Sequence, residues 1–426
     1  MTGLRAGVVV VFSGSPATAA WPNDLEFAPL TRPSDRPSLH HPAVVHLVKS
    51  LSVLTEFFRH QRFALLTWGL WLLLVVNPDL LVFSGESVAL ICLQGALVFG
   101  LMLGCVFTVV RHADALAERL GEPYGTLVLT LSATAIEVTL MLNLMLTGDQ
   151  NPTLLRDTVF ATLMVALNGM VGLALTAGGW RHVEQAFNLR GALSFLHIIA
   201  PLSLLILVLP NYTTMTEGPT LAPIQEGFLG VLCVLIYAVF LRLQMGRHRT
   251  HFDNVGQAMA ASVEETASGE AQSKTEPSVL ASCLGLLFAL LPIVLMSERL
   301  ALMLDALSEM LNWPEALAGL IVTSLVLAPE GLGGFRAALA NRVQRSINIC
   351  LGSALSTIAL TIPTVLIAAA TLGHSLYLGV DHLSWSLLNA SLIVSFITFV
   401  SGRANLLQGL IHLMIFTAYL FFMFFP

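Results

Sequence analysis

Two glutamates stand where an apolar chain has least use for them. Glu137 lies inside the run "YGTLVLTLSATAIEVTLML" and Glu330 inside "LAGLIVTSLVLAPEGLGGF". A carboxylate at membrane depth costs on the order of a few kcal/mol, so each calls for a partner or a task. Both segments run glycine, apolar residues, Thr or Ser, apolar residues, then Glu. The glycine stands 12 residues before Glu137 (Gly125) and 11 before Glu330 (Gly319). The matching pattern makes each glutamate the expected partner of the other. Two adjacent carboxylates in a low-dielectric site repel when both are ionised, so the empty pair holds a proton or protons. Deprotonated, the same oxygens bind a hard cation. The two states exclude each other because they use the same atoms, and that exclusion at an alternately exposed site is the minimal chemistry of an antiporter.

Other groups extend this site. Pro329 removes an N–H and frees a carbonyl of the preceding turn, which can complete a cation shell. Ser132 and Thr134, shortly before Glu137, carry hydroxyls; Asn168 in the next helix and Ser353 in the helix after Glu330 are similar candidates. For these four, helix–helix packing is the competing role. Arg156 and Asp157 open the helix after Glu137, either as a neutralised pair holding its end or as an outer gate for cations. His197 and His412 sit in apolar helices and read as packing residues rather than proton relays. His112 and Asp114 read as part of a solvated connector, with a cytoplasmic ion entrance as the alternative. Arg403 and Asn405 open the last helix, where a helix-end interfacial role suffices.

The elements that must position these groups are membrane helices. Hydrophobic residues make up 56% of the 426 and charged residues 11%, against about 25% charged in a soluble domain. Hydropathy and turn signals predict a leading helix over 63–83, five more near 86–110, 124–147, 153–179, 192–210 and 222–244, and a second five near 278–302, 315–340, 345–372, 378–400 and 404–425. The predicted fold is therefore an all-α polytopic membrane protein with 11 transmembrane helices. It divides into a cytoplasmic, disordered tail (1–61), a leading helix (62–84), a first half (85–245), a cytoplasmic linker (246–277) and a second half (278–426). A unit of five helices crosses an odd number of times, so two in tandem lie in opposite orientations and bring Glu137 and Glu330 face to face. With the N-terminus inside and the C-terminus outside, 18 of the 20 Lys and Arg fall on the cytoplasmic side, only Arg156 and Arg299 lying outside; the positive-inside rule selects that orientation.

The net charge of −6 and the lack of a basic stripe or stacking platform give no sign of nucleic acid. The five cysteines fall in apolar segments without CxxC spacing and read as small fillers. The expected partners are the bilayer, inorganic cations and protons, with a homo-oligomer left open.

Six stretches, "RHADALAERLGEPYGTL", "TGDQNPTLLRDT", "LAPEGLGG", "NRVQRSIN", "GSALSTIALTIP" and "GRANLLQGLIHL", resemble the Ca²⁺/cation antiporter superfamily, and within it the bacterial ChaA-type sodium–potassium/proton and calcium/proton antiporters. The resemblance covers residues from about 80 to 426. It implies one leading helix plus two inverted five-helix repeats, a bacterial inner-membrane location, no organic cofactor, and repeat glutamates, here Glu137 and Glu330, that alternate between proton and cation. Proton/cation exchangers of the superfamily often carry Gly-Asn-Ala-x-Glu in both repeats. Here the asparagine position holds Thr134 and Leu327, which leaves Na⁺ and K⁺ open beside Ca²⁺. Two rival classes fit the sequence less well. A membrane hydrolase using a carboxylate pair needs no matched halves, and neither a His-Glu-x-x-His nor a Gly-x-Ser-x-Gly motif is present. A passive channel would show a filter-like ring, and none is evident.

Overall fold

The apolar runs of the sequence fold as helices in the computed structural model, which describes residues 61–77, 80, 87–120, 124–147, 152–245, 279–373 and 376–426. The tail, apart from Gln61, and the linker over 246–277 lie outside the described residues. In chain order the helices are α1 (Arg62–Val76), α2 (Val88–Leu120), α3 (Tyr124–Thr147), α4 (Leu154–His182), α5 (Leu189–Leu207), α6 (Pro223–Met245), α7 (Val279–Leu311), α8 (Ala316–Leu339), α9 (Val343–Leu372), α10 (His382–Val400) and α11 (Leu406–Phe424). Among the described residues nine helices are long and apolar enough to cross a membrane; α1 and the stretch Thr130–Met145 of α3 are shorter apolar segments.

Three helix ends differ from the expectation. α1 stops at Val76 rather than near 83 because Asn77 precedes Pro78, and a residue before proline is pushed out of the helical region. α2 runs on to Leu120, ten residues past its expected end. Its segment "RHADALAERL" loses hydropathy but keeps good helix formers, with no Gly or Pro before Gly121. The solvated connector expected there is helix instead. His112 is buried and hydrogen-bonded to Gln61 Nε2 at 2.8 Å. α7 likewise continues to Leu311, the next helix breaker being Pro314.

Backbone groups freed inside these helices find partners. Pro292 in α7 cannot donate to the Phe288 carbonyl, and Trp68 Nε1 of α1 donates to that oxygen at 3.0 Å. α10 and α11 begin with side-chain caps. Asp381 accepts from the backbone of Leu383 and Ser384, and Asn405 with Gln408 forms a capping box. The helix-end role expected of Arg403 and Asn405 is what the structure shows, with Arg403 also ion-paired to Glu184 at 3.0 Å.

Two features recur across the chain. α4 and α9 each contain a π-turn, Val165–Met170 and Thr357–Thr361. The connecting loops also tie together in matching sets. Glu184–Ala186 (β1), after α4, pairs antiparallel with Arg403–Asn405 (β2), between α10 and α11. Gln185 Nε2 donates to the Ala338 carbonyl at the end of α8 and to Asn341 Oδ1 between α8 and α9, both at 2.9 Å. The loop after α9 does the same at other helix ends: Val380 N donates to the Leu207 carbonyl (2.8 Å) and Leu378 N to Pro219 (2.9 Å), after α5, while Tyr377 N donates to Pro152 (2.9 Å), before α4. Raising or lowering each helix number by five turns one set into the other.

α11 packs closely on α4 at Gly409. A Cβ on Gly409 would stand 2.4 Å from Thr176 N and 2.9 Å from Leu175 C, both backbone atoms that cannot yield. Gly409→Val is expected to destabilise the fold by about 3 kcal/mol, the upper range for overpacking, read as a lower midpoint of thermal unfolding in detergent.

Candidate cation and proton site

Glu137 lies just past the middle of α3 and is 5% exposed. Its carboxylate is capped from α9: Thr361 Oγ donates to Oε2 at 2.6 Å and Thr357 Oγ donates to the same oxygen at 3.0 Å. Both threonines belong to the π-turn Thr357–Thr361, whose extra residue per turn widens the helix and lets two hydroxyls, four residues apart, converge on one oxygen. Neither threonine stands out in the sequence. They lie in the stretch "GSALSTIALTIP", but hydroxyls are common packing groups in membrane helices.

Glu330 lies just past the middle of α8, after Pro329, which is buried within a helix that continues to Leu339. Glu330 Oε2 is buried and has no hydrogen-bond partner among the described residues. Glu330 lines a cavity of about 240 Å³ walled by Thr130 and Ala133 of α3, Tyr237 and Gln244 of α6, and Arg345, Asn348 and Ser353 of α9. Glu137 lies close enough for its charge to act on Glu330, and so does Asp114 of α2. The two repeat glutamates are therefore brought together, one capped and one at a cavity wall.

The remaining candidates divide. Ser353 shares the cavity with Glu330. Ser132 is half-buried and its hydroxyl donates to the Val128 carbonyl of its own helix at 2.8 Å. Thr134 is buried, and the carboxylates' hydrogen bonds among the described residues do not include it. Asn168 sits in the π-turn of α4 but faces another network: Nδ2 donates to Ser391 Oγ at 2.8 Å, and Oδ1 meets His412 Nδ1 at 3.3 Å. His412, fully buried, also meets Thr398 Oγ at 3.1 Å, the satisfied packing role expected of it. Arg156 Nε donates to Asp157 Oδ1 at 2.7 Å, and Thr153 Oγ donates to Asp157 Oδ2 at 2.8 Å. That arrangement neutralises the pair at the start of α4.

A carboxylate capped by hydroxyls beside a second carboxylate with a bare buried oxygen offers several hard oxygens and no nucleophile–base pair. Among the described residues there is also no cluster of three or more His, Cys, Asp or Glu side chains fit to hold a resident metal. Comparison with known proteins supplies the class. The family model described as "Sodium/calcium exchanger protein" matches residues 89–246 and 281–425, one block on each side of the linker. The chain belongs to that family. It is a cation exchanger, a secondary transporter and not an enzyme, and the expected resemblance to the Ca²⁺/cation antiporter superfamily holds. The "Putative ionic transporter y4hA" of Sinorhizobium fredii (strain NBRC 101917 / NGR234) is 41% identical over 75% of this chain and 86% of its own length. The "Sodium-potassium/proton antiporter ChaA" of Escherichia coli (strain K12) is 36% identical over 75% and 85%. Among solved structures, native YfkE covers 78% of this chain and 93% of its own at a TM-score of 0.59 and 17% identity. The H⁺/Ca²⁺ exchanger CAX covers 86% and 89% at 0.59 and 16%. At those identities the likeness is one of fold.

Proposed function

We propose that this exchanger moves protons against Na⁺, K⁺ or Ca²⁺ across a bacterial cytoplasmic membrane, with Glu137 and Glu330 alternately holding protons and the cation. The observation that carries the reading is the placement of the two glutamates at matching positions of α3 and α8, within electrostatic reach of each other. Two neighbouring carboxylates, one of them buried, repel when both are ionised, so cation and proton displace one another. Ser353 and the carbonyl freed by Pro329 are the supporting ligands on the Glu330 side; Thr357 and Thr361 hold the carboxylate of Glu137.

The proposed architecture is a leading helix (62–84), then α2–α6 (85–245) and α7–α11 (278–426) as two five-helix halves of opposite orientation, joined by a cytoplasmic linker. In its favour are the π-turns in the third helix of each half and the loop ties that exchange under a shift of five helices. The N-terminus is assigned to the cytoplasm from the distribution of Lys and Arg. The cavity beside Glu330 then opens inward, since Gln244 and Arg345 line it and both lie at helix ends assigned to that face.

The test is proton flux in inverted, respiring membrane vesicles loaded with a pH dye. NaCl, KCl and CaCl₂ are added separately between pH 7 and 9. Dequenching by at least one cation in vesicles carrying the protein, and its loss in vesicles without it, is the expected result. Silence with all three would sink the reading.

A further inference from the structure

Arg345 is the one cationic side chain among the described residues lining the cavity beside Glu330. Its counterpart in the first half is Arg156. Each is the third residue of its helix, and in each case the residue twelve positions on lies in the π-turn, Asn168 or Thr357. The two arginines differ in their surroundings. Arg156 is neutralised by Asp157 at 2.7 Å. Arg345 is followed by Ser346, and no carboxylate among the described residues stands within salt-bridge distance of it. A cation in the first turn also runs against the helix dipole, so α9 gains no stability from it. Arg345 is exposed and needs no partner, but on the wall of the proposed cation pathway its charge acts on every ion that passes.

We propose that Arg345 is a specificity-determining residue, a valence filter that disfavours divalent against monovalent cations on the way to Glu330. The inference rests on the reading of Glu330 as the cation site reached through this cavity. A fixed positive charge raises the energy of an approaching ion in proportion to that ion's charge, so Ca²⁺ bears twice the penalty of Na⁺ or K⁺. For a separation on the order of 10 Å and an effective dielectric constant of about 40, each unit of ion charge corresponds to about a fourfold change in affinity. Removing the guanidinium charge should then favour Na⁺ about fourfold and Ca²⁺ about sixteenfold, a change of about fourfold in their ratio.

The experiment compares wild type, Arg345→Gln and Arg345→Lys in inverted vesicles, where added cations meet the cavity face directly. Half-saturating NaCl, KCl and CaCl₂ are read from dye dequenching at one pH and constant ionic strength. If Ca²⁺ drives no proton movement, its inhibition constant against NaCl-driven dequenching replaces its half-saturation. The expected result is a Ca²⁺ preference raised about fourfold over Na⁺ in Arg345→Gln and a wild-type ratio in Arg345→Lys. An unchanged ratio in Arg345→Gln overturns the filter and leaves the arginine a topology signal. A shift in Arg345→Lys as large as in Arg345→Gln also overturns it, since charge would not be the cause. A silent wild type removes the antiporter reading and the filter with it, whereas an active wild type with an unmoved ratio removes the filter alone.

Discussion

Glu330→Gln is expected to cut cation-driven proton movement about 100-fold or more, and Glu137→Gln to do the same, because the amide removes both the exchangeable proton and the charge that holds a hard cation. Glutamine keeps the size of the side chain, so the fold should survive both changes. At position 137 the amide oxygen still accepts from Thr357 or Thr361, whose hydroxyls donate to the carboxylate in the wild type. At position 330 the residue borders the cavity and its buried Oε2 has no partner to lose among the described residues. The check is vesicle flux together with the elution profile and unfolding midpoint of the purified variants. Wild-type exchange in either variant would refute the proposed site, and lost exchange with a lost fold would be answered by Glu→Asp at the same position, which keeps the charge.

These two residues stand out in the sequence because a carboxylate in an apolar run has high contrast, and two at matching positions have more. Membrane spans are legible for the same reason, since some twenty apolar residues in a row have little use outside a bilayer. What hydropathy does not show is where helix outlasts membrane. α2 and α7 keep helical propensity after their apolar character fades, so their expected ends fall about ten residues short. Nor does it assign polar partners. Asn168 and Thr357 each stand twelve residues after the arginine near the start of their helix and each lies in a π-turn, yet Thr357 faces Glu137 while Asn168 is engaged by Ser391 and His412. A π-turn adds one residue to the helix and rotates everything beyond it by about 100°, which residue spacing alone does not reveal. Arg156 with Asp157 and Arg345 with Ser346 show the converse: the sequence difference is plain, and its meaning appears once Arg345 lines the cavity beside Glu330.

The second large effect is expected at Gly319, near the start of α8. A Cβ there would stand 2.8 Å from Thr158 N and 2.9 Å from Asp157 C, both backbone atoms of α4. One turn further on, Thr323 Oγ donates to the Thr158 carbonyl and meets Thr162 Oγ, each at 3.2 Å. This end of α8 is thus sealed against α4. Thr130 stands seven residues before Glu137, as Thr323 stands seven before Glu330, yet Thr130 lines the open cavity and bonds Tyr237. One end of the pair is shut and the other open, and exchange as proposed requires the two to trade places. A larger side chain at 319 penalises only the state in which α8 is seated on α4. Gly319→Val should cost that state about 1–3 kcal/mol, shifting the population towards the opposite state by about fivefold to 150-fold. Transport should fall by about fivefold or more as one half of the cycle becomes rare. A cysteine at Ser353, in a chain otherwise free of cysteine, reports the shift: its labelling from the cavity face by a membrane-impermeant thiol reagent should slow severalfold in Gly319→Val. Lost transport with unchanged labelling would mean that the substitution only distorts the helix. Faster labelling would mean that the seal at Gly319 and the cavity at Ser353 close together, which alternating exposure forbids.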